Sequence, residues 1–222
     1  MLELNAAPRT ILCLGAHSDD IEIGCGATLM ALTEAHPGIS VHWLVFSGDG
    51  RRAAETRLAS ERILTNTGDR SVTVESFRDG YFPWDGAAIK DRFEVLKRDV
   101  EPDIVFTHYR HDRHQDHRTI SDLTWNTFRD HMVLEYEIPK YDGDTGVPNC
   151  YMPITDSQRK GKVETLIDCF PSQGGHSWFT ADTFNGLMRL RGIECAAPEG
   201  FAEAFHARKW IFGQLNSCSG SP

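Results

Sequence analysis

The sequence has no apolar run approaching the ~20 residues that a membrane-spanning helix needs. It has no CxxC pair. Its six cysteines stand at 13, 25, 150, 169, 195 and 218, so a cysteine-only zinc site lacks the spacing it requires. Several lie in apolar segments, as Cys13 does, and read as reduced, mostly buried thiols of a cytoplasmic protein. Met1–Thr10 shows no basic stretch leading into an apolar one, so a secretory signal is not expected. Positive charge is scarce: 23 Lys and Arg against 32 Asp and Glu leave a net charge of −9. That balance argues against a nucleic-acid partner and against an anionic membrane surface. Internal repeats and low-complexity linkers are lacking as well. Gly24-x-Gly26 lacks the third glycine of a dinucleotide fingerprint, and the carboxylates beside it would repel a pyrophosphate.

What is present is a strand–helix alternation over 222 residues, a length suited to one domain with a proper core. Apolar, β-forming runs predict strands at Thr10–Ala16, Ile39–Ser47, Ser71–Phe77, Ile104–Tyr109 and Met132–Ile138. Between them, helices are predicted over Gly24–His36, Arg51–Thr67, Ala87–Val100 and Asp116–Phe128. This pattern implies βαβ units, so the expected fold class is α/β. The sheet is mainly parallel and Rossmann-like, flanked by helices on both faces. Pro139–Pro153 reads as a long loop. Thr155–Asp168 and Thr180–Arg191 read as helices with Thr N-caps, and Phe205–Phe212 as a late strand. The expected organisation is one domain over 1–222, with a core at about 8–138 and a C-terminal packing and substrate-rim region at about 139–215. Trp43 and Trp125 read as core.

Chemistry gathers at two predicted strand ends, which is where ligands bind in open α/β sheets. The first strand runs into His17-Ser18-Asp19-Asp20-Ile21-Glu22. The fourth runs into His108-Tyr109-Arg110-His111-Asp112-Arg113-His114-Gln115-Asp116-His117. Strands one and four are commonly neighbours in doubly wound sheets, so the clusters can meet. Together they can supply two imidazoles and one carboxylate, a set that suits catalytic zinc or iron(II). His108 and His111 read as loop residues or partners of ligands. Ser47-Gly48-Asp49-Gly50, at the end of the second strand, could line the pocket. His176 lies in a Gly-rich loop beside Trp178 that could close over a sugar ring.

The run Ala16-His17-Ser18-Asp19-Asp20-Ile21-Glu22-Ile23-Gly24 resembles the first signature of the PIG-L/LmbE family of metal-dependent N-deacetylases. His114-Gln115-Asp116-His117 resembles the second, and Gly200-Phe201-Ala202-Glu203-Ala204-Phe205 a motif near the C-terminus. Ser18 departs from the usual proline, and Ala27 stands where a second glycine is frequent. The resemblance implies zinc, or another divalent ion such as Fe2+, held by His17, Asp20 and His117. It implies Asp19 as general base, His114 facing the developing oxyanion, and Asp116 orienting His114 and favouring its imidazolium. It suggests Arg57 as a substrate-sugar contact, with a surface pair to Glu61 as the alternative. Glu22 could orient a ligand imidazole. Glu137–Asp144 resembles a segment of some bacterial members and could form part of the substrate rim.

The implied activity is removal of an acetyl group from an N-acetylated amino sugar or its conjugate. The partner would be that small molecule. Another N-acyl or thiol-sugar conjugate, or an inactive metal- or carbohydrate-binding protein, are the rival readings. Oligomeric state is not readable, and a homo-oligomer stays open.

Overall fold

The computed structural model describes residues 7–210. The apolar runs form β1 (Thr10–His17), β2 (Ser40–Ser47), β3 (Asp69–Val74), β4 (Ile104–His108) and β5 (Met132–Tyr136). These five pair in parallel in the order β3-β2-β1-β4-β5. The crossovers are α1 (Asp20–Ala35), α2 (Gly50–Ile63), α3 (Gly86–Asp99) and α4 (Gln115–Thr127). In β1, Ile11 and Cys13 face a core shared with α1 and α2, while Leu12 and Leu14 face a second core shared with α3 and α4. A strand covered on both faces carries apolar residues in succession, which is why β1 and β2 stand out in the sequence. The order reverses between β1 and β4, and the residues after both strands share the crevice there. Among the described residues, no helix is long and apolar enough to cross a membrane.

The chain continues through β6 (Cys150–Ile154), α5 (Asp156–Cys169), α6 (Ala181–Glu194) and β7 (Phe201–Ala207). Thr155 caps α5 in a reciprocal capping box with Gln158, and Thr180 caps α6 through the amide of Thr183. Two expectations are corrected here. The loop predicted over Pro139–Pro153 ends in β6, a strand whose Pro153 sits at the sheet edge, where a missing N–H is tolerated. The late strand begins at Phe201 rather than Phe205 and runs antiparallel between β5 and β6. Residues 211 and 212 of the predicted strand, residues 211–215 of the predicted rim region, and Cys218 lie outside the described residues. Trp43 is buried as expected. Trp125 is only half-buried, and its indole N–H donates to Glu135 at 2.6 Å. Cys13, Cys25 and Cys169 are buried free thiols.

Helix α1 starts four residues earlier than the sequence pattern indicated, because it is two segments joined at Cys25 (φ −146°, ψ 17°). The break frees backbone groups inside the protein, and distant residues satisfy them. Glu203 of β7 accepts from the amides of Ala27 (3.1 Å) and Thr28 (2.6 Å). Lys162 of α5 donates to the Ile23 carbonyl at 2.5 Å and pairs with Glu203 at 2.5 Å. Both side chains are almost wholly buried. Just before the break, Gly24 lies so close to the Tyr136 ring that no Cβ would fit. This lets α1 settle onto β5, and the Tyr136 hydroxyl donates to the Leu14 carbonyl at 2.7 Å.

Removing one member of a buried ion pair leaves the other uncompensated. Glu203→Ala should therefore cost about 3–5 kcal/mol, measured by urea unfolding. A loss under about 1 kcal/mol, the range of an exposed pair, would show that the pair does not hold the broken helix.

Candidate active site

Strand β1 ends at His17 and the chain turns into α1. The turn is fixed by Asp20, whose Oδ2 accepts from the His17 amide at 2.6 Å. Across the crevice, His114 is the N-cap of α4, and its Nδ1 accepts from the Asp116 amide at 3.3 Å. Asp116 and His117 occupy the first turn of α4 and are buried, as are His17, Asp19 and Asp20. The two motifs therefore meet, as the neighbouring strands predict.

His17 Nδ1 lies 3.2 Å from His117 Nε2 and 3.4 Å from Asp20 Oδ2. His117 Nε2 lies 3.5 Å from Asp20 Oδ1. Zinc bonds of about 2.0–2.2 Å at tetrahedral angles place donors about 3.3–3.6 Å apart. The three side chains thus present donors at a spacing that suits a divalent cation, with Asp20 reaching the two imidazoles through different oxygens. The outward nitrogens of both rings meet carboxylates. His117 Nδ1 lies 2.9 Å from Asp112 Oδ2, and His17 Nε2 lies 3.3 Å from Asp116 Oδ2 and 3.1 Å from Asp79 Oδ1. A carboxylate behind an imidazole fixes its tautomer and its aim, as at metal centres. Among the described residues, three other groupings of possible donors share these residues: His17, His114 and His117; Asp20, His108 and His117; and His17, Asp79 and Asp116.

The electrostatics follow from packing so many ionisable groups together. Burial and the charge of Asp20 push the Asp19 carboxyl up to about 6, against the opposing pull of Arg52. Burial and the neighbouring His108 push His117 down to about 4, which keeps its ring neutral. Burial disfavours charge on His17, but bonds to Asp116 and Asp20 outweigh it and raise its pKa well above the ordinary value. Burial likewise disfavours charge on Asp20, yet His117 and His108 hold it well below the usual carboxylate range.

Several sequence expectations are revised. Asp116 does not orient His114 through its carboxylate. It accepts from the amides of Gly80 (2.6 Å) and Phe82 (3.1 Å) and contacts His17. Burial and the charge of His17 lower the His114 pKa despite Asp116, so imidazolium is disfavoured. The accepting Nδ1 leaves its proton on Nε2. Glu22 touches no imidazole. It is fully buried with both oxygens unpartnered, and burial raises its pKa well above the ordinary value.

Arg57 is exposed, with no side-chain bond to the cluster and no pair with Glu61 among the described residues. Arg52, in the first turn of α2, reaches the site instead and donates to Asp19 Oδ1 at 3.0 Å. Asp49 is exposed at the N-terminus of α2. His176 is exposed and stacks near Trp178, with ring centroids 5.9 Å apart. Its loop is bolted to α2, where Glu55 accepts from the Ser172 amide and hydroxyl. His111 is exposed. His108 is fully buried, stacked 4.0 Å from His117, and accepts from the Ala16 amide. Asp112 was missed. Its signal is a carboxylate in the same strand-end loop, five residues before an imidazole that needs an acceptor. Lys140, in the predicted rim segment, pairs with Asp112 at 2.9 Å.

The fold and this constellation define an α/β protein with a buried cluster of His and Asp side chains at a strand-end turn. A family model described as PIG-L, GlcNAc-PI de-N-acetylase, matches residues 12–128. The chain belongs to this family of deacetylases. It is 30% identical over 149 residues to the uncharacterized deacetylase YaiS of Escherichia coli K12, covering 59% of this chain and 75% of that one. Its fold is similar to N,N'-diacetylchitobiose deacetylase of Pyrococcus horikoshii (TM-score 0.67, 18% identity, 90% of this chain and 84% of that chain). It is also similar to the 4-carboxy-2-hydroxymuconate hydratase GalB of Pseudomonas putida (TM-score 0.73, 18% identity, 93% and 99%).

A carbon-13 titration of metal-free protein should find the Asp19 carboxyl half-protonated near pH 6. Arg52→Met removes the cation that favours its ionised form, so the midpoint should rise. An unmoved midpoint would mean that Arg52 does not act on Asp19.

Proposed function

We propose that the protein is a metal-dependent hydrolase that removes the N-acetyl group from an amino sugar or amino-sugar conjugate. The products are acetate and a free amine. The observation that carries this reading is the set of donors from His17, Asp20 and His117 at 3.2–3.5 Å, with a raised-pKa carboxyl, Asp19, one residue away. Zinc, or another divalent ion such as Fe2+, fits that donor set. Bound there, it would polarise the amide carbonyl and make water more acidic.

The chain's own groups account for the proton movements. Asp19, in its ionised form, takes the proton of the attacking water and returns it to the leaving amine. His114 presents Nε2–H as a hydrogen-bond donor to the developing oxyanion, in its neutral form. Arg52 holds Asp19 at 3.0 Å and fixes its aim. We assign the sugar contacts to two exposed residues: Asp49 at the N-terminus of α2, and His176 in the α5–α6 loop that Ser172 ties to Glu55 of α2. The Lys140-bearing segment after β5 joins them. We propose a single domain, on the continuity of its sheet, and a cytoplasmic location, with which the free thiols of Cys13, Cys25 and Cys169 agree.

Acetate release over free, nucleotide-linked and glycoside-linked N-acetyl amino sugars tests the reading. Chelation should abolish turnover and added zinc restore it. Asp19→Asn should keep the metal and lower kcat by at least about 10²-fold. For the wild type, kcat/KM should fall on the acid side as Asp19 becomes protonated, with a midpoint below that of the metal-free protein, because a cation held by Asp20 favours the ionised form of Asp19. Full activity in the chelated protein, or in Asp19→Asn, would refute the mechanism. Product mass spectrometry would reveal a longer acyl group or a thiol-sugar conjugate.

A further inference from the structure

The loop between β3 and α3 brings to the site a carboxylate that the proton transfers leave unused. Asp79 is 59% exposed, yet its Oδ1 lies 3.1 Å from His17 Nε2. It makes no other ion pair or hydrogen bond among the described residues. From the buried side, Asp116 Oδ2 lies 3.3 Å from the same nitrogen. The two carboxylates therefore bracket one edge of the His17 ring.

The loop is built to deliver Asp79 there. The amides of Gly80 and Phe82 donate to Asp116, and the Gln115 side chain donates to the Gly80 carbonyl. Gly80 has φ +78° with open space where a Cβ would stand, so its backbone conformation, not crowding, favours glycine. Phe82 is fully buried, with its ring 6.0 Å from that of His17. Asp116 already serves two amides, whereas Asp79 serves only His17.

We propose that Asp79 is a positioning residue that shares with Asp116 the task of holding Nε2 of His17. The ring is thereby turned so that Nδ1 faces Asp20 and His117. This inference rests on the metal-hydrolase reading above and deepens it. A carboxylate on the far nitrogen of a ligating imidazole secures its tautomer and orientation, and losing it weakens metal binding about 10–100-fold. The carboxylate behind His117, Asp112, is buried within the scaffold. Behind His17, one of the pair stands at the solvent-facing rim.

The test is zinc binding by metal-free protein in competition with a chromophoric chelator. Wild type should take up one zinc per chain, and Asp79→Asn should bind it about tenfold more weakly. Asp85→Asn removes the same charge from the same loop, where Asp85 makes no side-chain cap bond, and should bind zinc as wild type does. The visible spectrum of the cobalt-loaded protein should change in Asp79→Asn and not in Asp85→Asn. Equal zinc affinity in wild type and Asp79→Asn would overturn the proposal and leave the hydrolase reading standing. An equal loss in Asp85→Asn would reduce the effect to net charge and overturn it too. Two zinc ions in wild type and one, bound as tightly, in Asp79→Asn would make Asp79 a ligand of a second ion instead. A wild type that binds no zinc would sink the metal reading itself.

Discussion

Charge buried where β1 meets β4 is the constraint to which the surrounding structure answers. His17, Asp19, Asp20, Asp116 and His117 are all buried within one crevice. Isolated charges there would be costly, so each needs a partner. The pairing is close to complete: Asp20 with His17, His108 and His117, Asp116 with His17 and two loop amides, Asp112 with His117 and Lys140, Asp19 with Arg52. Those partners come from β1, α1, α2, β4, α4, the loop after β3 and the segment after β5. A site of this density ties down most of one edge of the sheet.

The same density explains why the cluster suits a cation. Three carboxylates against imidazoles of opposed tendency, one raised and one lowered in pKa, form a mixed-charge nest rather than a neutral core. The likeness to the hydratase GalB shows that this fold is not tied to one kind of bond. In this chain the Asp19–Asp20 pair stands at the end of β1. Two adjacent carboxylates are driven apart by environment: one is pushed up to about 6, the other held well below the usual range.

Legibility in the sequence followed locality. The five parallel strands, their helices and the meeting of the two motifs were readable, because continuous apolar runs and strand-end polar clusters are local signals. β6 was not, since Cys150–Ile154 becomes a strand only through β7, some fifty residues on, and carries a proline. The early start of α1 was hidden for the same reason: its break at Cys25 is satisfied by Lys162 and Glu203. Within the site, ligand-type residues were legible from motif and position. Direction was not. Arg52 and Arg57 differ by one and a half turns of one helix, and only packing shows which reaches Asp19. Glu22 looked like a partner for an imidazole, but neither of its buried oxygens meets a hydrogen-bond partner. Asp79 gave no signal, because its loop is fixed by Asp116, thirty-seven residues away.

The stitched break in α1 also bears on the order in which the molecule can be completed. The helix that opens with Asp20 depends at its midpoint on a strand near the far end of the chain. During synthesis, β1 and the start of α1 emerge long before Glu203 exists, so the amides freed by the break in α1 gain this acceptor only when β7 inserts beside β5. Contacts of such separation are entropically late. The second segment of α1 is thus capped by the last strand described, and an early release of the chain leaves it uncapped. Protection of the Thr28 amide against hydrogen exchange would report when that closure occurs.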